Sequence, residues 1–264
     1  SGNFSTIVEV DQNDVTRVNM GINHFDFNWN LKENESFQTP EIIMVYSSDG
    51  INGMSQTFHN IFNNNIIRGK YKNRSRSVLI NNWEATYFDF DEEKILSLAR
   101  KAKALGVEMF VLDDGWFGTR NDDFQGLGDW YVNMEKLPNG ISGLSKKIND
   151  LGMKFGLWFE PEMANKNSDL YRAHPDWILS APGRYDTSSR NQHVLDFSRS
   201  EVVDYIYESV SKILRDANIE YIKWDMNRCM TEVFSHTKES KNQKEVAHRY
   251  ILGLYNLLEK ITEE

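Results

Sequence analysis

The stretch 219–226 reads IEYIKWDM. Its length, apolar start and aromatic content mark it as a strand, and strand alternation puts Lys223 and Asp225 on one face. An apolar strand that ends in a carboxylate beside an ammonium group is how a barrel enzyme presents an ionised nucleophile, because the lysine favours the charged carboxylate. A buried structural ion pair at a strand end gives the same pattern. Both readings stand on this stretch alone.

Outward from it, strands and helices alternate. RSEVVDYIYESVSKILRDAN (199–218) is an amphipathic helix leading into the strand, and residues 241–263 form a helix after it. Upstream, VLINNW (78–83), VEMFVLDD (107–114), MKFGLWFEPE (153–162) and NQHVLDFS (191–198) read as buried strands. Between them, DEEKILSLARKAKALG (91–106) and GISGLSKKINDLG (140–152) carry helix start and stop signals, the first with acidic residues early, basic residues late and Gly106 at its end. Five strands, each followed by a crossover, indicate a parallel α/β sheet or barrel. No glycine-rich phosphate fingerprint follows the first strand, which argues against an open dinucleotide-binding sheet. Polar residues gather where the strands end: Trp83–Glu84, Asp113–Asp114, Glu160 and Glu162, Asp196, and Asp225. In a (β/α)8 barrel that rim is where chemistry is assembled. The expected fold class is therefore α/β, a partial (β/α)8 (TIM) barrel over residues 76–264, in its first five or so β/α units.

Residues 1–75 have another texture. FSTIVEV (4–10), HFDFNWNL (24–31) and EIIMVYS (41–47) alternate apolar and polar residues between Asn- and Gly-containing turns. That pattern suggests antiparallel strands, read as the end of an N-terminal β-sandwich region and a linker.

Composition narrows the function. A chain of 264 residues with 40% hydrophobic residues has a real core, and its net charge of −9 excludes a basic nucleic-acid footprint. Seven Trp, eleven Tyr and fifteen Phe suit a sugar site as well as a large core. No apolar run approaches the roughly 18 residues that span a bilayer, so no membrane partner is expected. Cys229 is the only cysteine, which rules out a disulfide within the chain and fits a cytoplasmic setting. The chain opens on Ser1 rather than Met, which suggests a processed or excised polypeptide. His174 and His193 lack metal-ligand spacing, and no HExxH is present. No metal and no cofactor are expected.

Several residues carry possible chemistry. Asp113 and Asp114 could grip vicinal hydroxyls, bind a divalent cation, or cap a helix in an acidic loop. Trp158 could wall a ligand ring or belong to the core. Pro161 extends the chain between Glu160 and Glu162, which read as supporting acceptors or rim charges. Arg190 could bridge carboxylates or touch a substrate hydroxyl, or lie on the surface. The polar connection FGTRNDDFQGLGDW (117–130) is long enough to be functional.

Together, NNWEATYFDF (81–90), FVLDDGWFGTRNDD (110–123), LGDW (127–130), GLWFEPEM (156–163), RNQHVLDFSR (190–199) and YIKWDMNR (221–228) resemble glycoside hydrolase family 36, the bacterial-type α-galactosidases. TPEIIMVYSSDGINGMSQTFH (39–59) is similar to the family's segment between sandwich and barrel. The resemblance implies a retaining mechanism with Asp225 as nucleophile and an α-galactoside such as melibiose or raffinose as substrate. It implies that Asp113 and Asp114 hold galactose hydroxyls and that Trp83, Trp158, Arg190, Lys223 and Asn227 line the same subsite. Asn227 is expected to reach the sugar 2-hydroxyl. The family's acid/base aspartate lies on a later strand, beyond Glu264. The chain is therefore expected to be an incomplete, inactive part of an enzyme that forms a homo-oligomer when intact. A non-catalytic sugar-binding fragment, an α-galactosyl transferase and an α-N-acetylgalactosaminidase are the alternatives.

Overall fold

Two amino-acid rhythms separate two units in the computed structural model, Ser1–Ser77 and Val78–Glu264. The structure describes residues 3–187 and 189–263.

In the first unit, β1 (Phe4–Val10) and β2 (Thr16–Ile22) form an antiparallel hairpin in register from Phe4↔Ile22 to Val10↔Thr16. Asp11 shapes the turn, its carboxylate accepting from the N–H groups of Asn13 (2.8 Å) and Val15 (3.1 Å). The strands expected at 24–31 and 41–47 do not form. A strand needs a neighbour for its ladder, and Phe27 and Trp29 instead pack against Phe37 in a loop. A helix that the strand reading left out, α1 (Gly50–Ile61), follows and runs on into a single π turn at Phe62–Ile66. Ile51, Met54, Phe58 and Ile61 recur at helical spacing in it.

In the second unit, β3 (Leu79–Asn81) is followed by the short α2 (Trp83–Thr86) and by α3 (Glu92–Ala104). The Asp91 side chain caps α3 by accepting from Lys94 N–H at 2.8 Å, and Gly106, at φ +86°, ends it as its position predicts. Next come β4 (Met109–Leu112), α4 (Gly140–Asp150) and β5 (Lys154–Phe159). A longer insertion holds β6 (Met163–Ala164), α5 (Asp169–Ala173) and β7 (His193–Val194). The unit closes with α6 (Ser200–Asp216), β8 (Tyr221–Trp224) and α7 (Val246–Glu263).

The strands β3, β4, β5 and β8 lie side by side in that order, all parallel, with helices in the crossovers. This is the partial barrel that the sequence implies, with four β/α units rather than five. The run 191–198, expected as a barrel strand, contributes only β7, which pairs antiparallel with β6 outside the parallel sheet. Its apolar residues Val194, Leu195 and Phe197 are buried, but so are the polar Gln192, His193 and Asp196. Such a run can fold into the core as a short hairpin: Gln192 Nε2 donates to Glu160 and Asp196 Oδ1 accepts from the Ser198 N–H, while Gln192 Oε1 and Asp196 Oδ2 have no hydrogen-bond partner among the described residues.

All four residues of β4 are buried, as are all but the first of β5. Phe110, Leu112, Phe155, Leu157 and Phe159 are shut off from solvent, each worth about 1.5–3 kcal/mol of apolar burial. Helices α3, α4 and α6 add Ile95, Leu144 and Ile206 to the same core.

Candidate active site

The strand ends and the turns after them bring the expected residues together. Trp83 opens α2 just past β3; Asp113 and Asp114 follow β4; Trp158 lies near the end of β5; Lys223 lies in β8, with Asp225 and Asn227 just beyond it. Arg190 arrives from the insertion before β7. These eight residues line one cavity of about 210 Å³. Asp113, Asp114 and Trp158 are buried, Trp83, Lys223, Asp225 and Asn227 are half-buried, and Arg190 is exposed.

Lys223 does not pair with Asp225, contrary to the expectation from their shared strand face. Its Nζ lies 2.7 Å from Oδ2 of Asp113. Residues two apart on a strand stand nearly 7 Å apart, and the flexible lysine stem lets the ammonium group cross β5 to the end of β4. Asp113 is fixed further by Asn81, whose Nδ2 donates to Oδ2, and by Asn82, whose Oδ1 accepts the Asp113 N–H at 2.8 Å. The Asn81–Asn82 pair thus ties the end of β3 to the end of β4.

Asp114 is held by a residue that the sequence did not single out. Arg120, 1% exposed, donates from Nε to Oδ1 at 3.0 Å and from Nη2 to Oδ2 at 2.8 Å. Its remaining Nη1 donates to the Gln125 carbonyl and to Asn165 Oδ1, both at 3.1 Å. Burial raises the Asp114 pKa, the Asp113 charge adds to the rise, and Arg120 opposes it. An arginine six residues past two aspartates in a long polar loop was the available signal. Lys136 was missed as well: its Nζ donates to the carbonyls of Phe88 (2.9 Å) and Gly115 (3.0 Å), and burial lowers its pKa. Gly115 has φ +101°, and a Cβ there would meet the Phe88 ring at 3.0 Å, so the turn after the aspartate pair requires glycine.

Asp225 sits among neutral donors. Its Oδ2 accepts from Trp158 Nε1 at 3.0 Å and from Asn227 Nδ2 at 2.8 Å. Its Oδ1 accepts from the Met226 N–H at 3.0 Å. Trp158 is itself locked, stacked on Phe117 with centroids 6.1 Å apart and its carbonyl accepting from Trp116 Nε1 at 2.9 Å. Arg190 Nη1 donates to Asn227 Oδ1 at 2.7 Å. Asp113 and Asp114 therefore meet cationic partners, whereas the Asp225 carboxylate faces the cavity with neutral ones among the described residues.

Behind these groups, Glu160 is fully buried; its Oε1 accepts from the Asn227 N–H at 2.5 Å and its Oε2 from Gln192 Nε2 at 2.8 Å. Burial, with the charges of Asp225 and Asp114, pushes its pKa up to about 7. Glu162 Oε1 accepts from Trp224 Nε1 at 2.9 Å, and its Oε2 accepts from the Tyr250 hydroxyl. His174 stacks on Trp177 at 3.9 Å, and burial lowers the His193 pKa. Among the described residues no group of three or more His, Cys, Asp or Glu is placed to hold a metal ion. No described helix is long and apolar enough to cross a membrane.

The arrangement can hold a small polyhydroxylated ring. Two carboxylates and an ammonium group accept and donate to hydroxyls, an indole covers an apolar face, and a third carboxylate is free to attack an electrophilic carbon.

Comparison with known proteins points the same way. A family model described as Melibiase matches residues 36–264, and one described as Glycosyl hydrolase family 36 N-terminal domain matches residues 1–32. The chain is 58% identical over 262 residues to alpha-galactosidase AgaA of Geobacillus stearothermophilus, covering 99% of this chain and 36% of that protein. It is 52% identical over 261 residues to alpha-galactosidase Mel36A of Lactobacillus acidophilus, again over 99% and 36%. The crystal structure of the Geobacillus AgaA superposes with a TM-score of 0.96 at 57% identity, over 98% of this chain and 36% of that one. A variant of that enzyme has been solved in complex with raffinose, and it matches with the same scores. The chain spans 36% of the length of these curated relatives.

Proposed function

Since the chain belongs to the melibiase family, we propose that it is part of a retaining α-galactosidase and carries the nucleophile and most of the sugar-holding groups. The observation that supports this best is the cavity lined by Trp83, Asp113, Asp114, Trp158, Arg190, Lys223, Asp225 and Asn227, which brings Asp225 and the paired aspartates to one site. On this reading residues 1–75 are the end of an N-terminal β-rich region and 76–264 the start of the catalytic barrel. A cytoplasmic enzyme that assembles as a homo-oligomer belongs to the same reading. The lone Cys229 supports the first part, and the exposed Leu252, Tyr255 and Leu258 of α7 support a further packing partner.

On this reading, the retaining mechanism that the family resemblance implies gives each group a part. Asp113, Asp114 and Lys223 bind galactose hydroxyls, and the Trp158 ring covers the apolar sugar face. Asp225 attacks the anomeric carbon of a terminal α-galactosyl unit, the bond to the leaving oxygen breaks, and a β-linked glycosyl-enzyme forms. Water then displaces Asp225, and the product keeps the α configuration. A second carboxyl, about 5–5.5 Å from the nucleophile in retaining enzymes, protonates the leaving oxygen. The carboxylates of Asp113 and Asp114 are already held by Lys223 and Arg120, so neither is assigned that role. Asn227 donates to Asp225, and on this reading it also bonds the sugar 2-hydroxyl.

Titration of the chain's tryptophan fluorescence with galactose and with glucose, which differs at the 4-hydroxyl, tests the reading. Galactose should give a saturable change that Asp113→Asn abolishes, and glucose should give a much weaker one. Equal responses to the two sugars would contradict it.

A further inference from the structure

We propose that Glu160 is a positioning residue that holds Asn227 in place against the nucleophile. The inference takes Asp225 as nucleophile from the reading above; Glu160 does not itself line the cavity and reaches it through Asn227, which does.

The sheet explains why such a residue is needed. The ladder between β5 and β8 ends where the Asp225 N–H donates to the Phe159 carbonyl at 2.8 Å. Past that rung the two chains separate, and Pro161 has no N–H to offer a neighbouring strand. The next N–H on the β8 side that needs an acceptor at this depth is that of Asn227, and the Glu160 side chain supplies it. A carboxylate thus replaces a backbone carbonyl for one further rung. Its second oxygen takes the Gln192 amide, so the insertion that carries Arg190 is fastened to the same point.

The consequence reaches the site through the side-chain amide of Asn227. Its nitrogen donates to Asp225 Oδ2, and its oxygen accepts from Arg190 Nη1. With both ends engaged, the amide can face only one way: donor toward the nucleophile, acceptor toward the arginine. That orientation depends on where the Asn227 backbone lies, and among the described contacts Glu160 is what fixes it. A hydrophobic side chain of similar size would fill the space but leave the Asn227 N–H without its partner.

The test compares Glu160→Gln, which keeps an acceptor at nearly the same place, with Glu160→Leu, which keeps volume and removes it. Amide NMR of the chain reads the contact without any sugar. We expect the Asn227 backbone N–H proton, downfield in the parent, to stay there in the Gln variant and to move upfield in the Leu variant, with a matching change in the Asn227 side-chain amide pair. Galactose affinity should be kept by Gln and fall about tenfold with Leu, the size expected for a lost charge-assisted hydrogen bond. Circular dichroism melting of both variants shows whether each is folded. Asn227 resonances that stay put in both folded variants, or move equally in both, would overturn the proposal. A chain that binds no galactose, with the Asn227 resonances responding as expected, would contradict the reading of function and leave the positioning role supported.

Discussion

Asp113 and Asp114 are neighbours in sequence and live in different electrostatic settings. One meets a half-buried lysine, the other a fully buried arginine. Asp225 meets neither, and the carboxylate proposed as nucleophile is the one with only neutral partners among the described residues. The Lys223–Asp225 pairing read from the strand failed because period-two alternation fixes a face but not a partner. The motif residues themselves were legible: all eight expected positions border the cavity. Arg120, Lys136 and the Asn81–Asn82 pair were not, because their roles depend on where a long loop and a neighbouring strand end lie. Glu160 shows the cost of such placement. Its pKa is raised from 4.5 to about 7, chiefly by burial, so the folded state holds its proton more tightly than the unfolded chain. Below the ordinary value both states are protonated and no penalty exists. As pH rises from 4.5 to about 7 the unfolded state ionises first and the fold loses stability from this group, on the order of 3 kcal/mol once the penalty is complete. Urea melts of Glu160→Gln across this range should lack that decline, so the variant should gain on the parent as pH rises. Parallel pH profiles for the two proteins would refute the assignment.

At the scale of elements, capping chemistry and apolar runs carried the reading of the second unit. Asp91 and Gly106 bound α3 as their residue types require, and β4 and β5 are continuous buried runs as strands covered on both faces must be. The failures are short or unpartnered segments. The run 191–198 has strand composition but ends as a two-residue hairpin arm, and 24–31 and 41–47 alternate without a neighbour to pair with. Periodicity reports which side of a segment is apolar; pairing depends on segments far away in sequence. Helix α7 offers a sharp packing test. A Cβ on Gly253 would meet the Phe197 carbonyl oxygen at 1.9 Å and the Val203 side chain at 3.3 Å. Since the first clash is with backbone, the helix itself must move. Gly253→Ala should cost about 2–3 kcal/mol, within the range for overpacking, despite alanine's better helix propensity. Thermal melting of that variant checks it, and an unchanged or higher Tm would show that α7 does not approach the β7 segment so closely.

At the scale of the whole molecule, four β/α units bring the proposed nucleophile and the proposed sugar-holding groups to one cavity, in a chain that spans 36% of its curated relatives' length. Glycoside cleavage makes two demands: attack on the anomeric carbon, proposed for Asp225, and protonation of the leaving oxygen, for which no residue is proposed. A donor whose leaving group departs without a proton isolates the first demand. The most direct measurement is therefore mass spectrometry of the chain after incubation with an activated 2-deoxy-2-fluoro-α-galactosyl fluoride, whose fluorine slows release of the trapped sugar. With Asp225 as nucleophile, a single fluorogalactosyl adduct should form on the peptide containing Asp225 and be absent in Asp225→Asn. An adduct on Asp113, Asp114 or any other residue, or one that persists in Asp225→Asn, would contradict it.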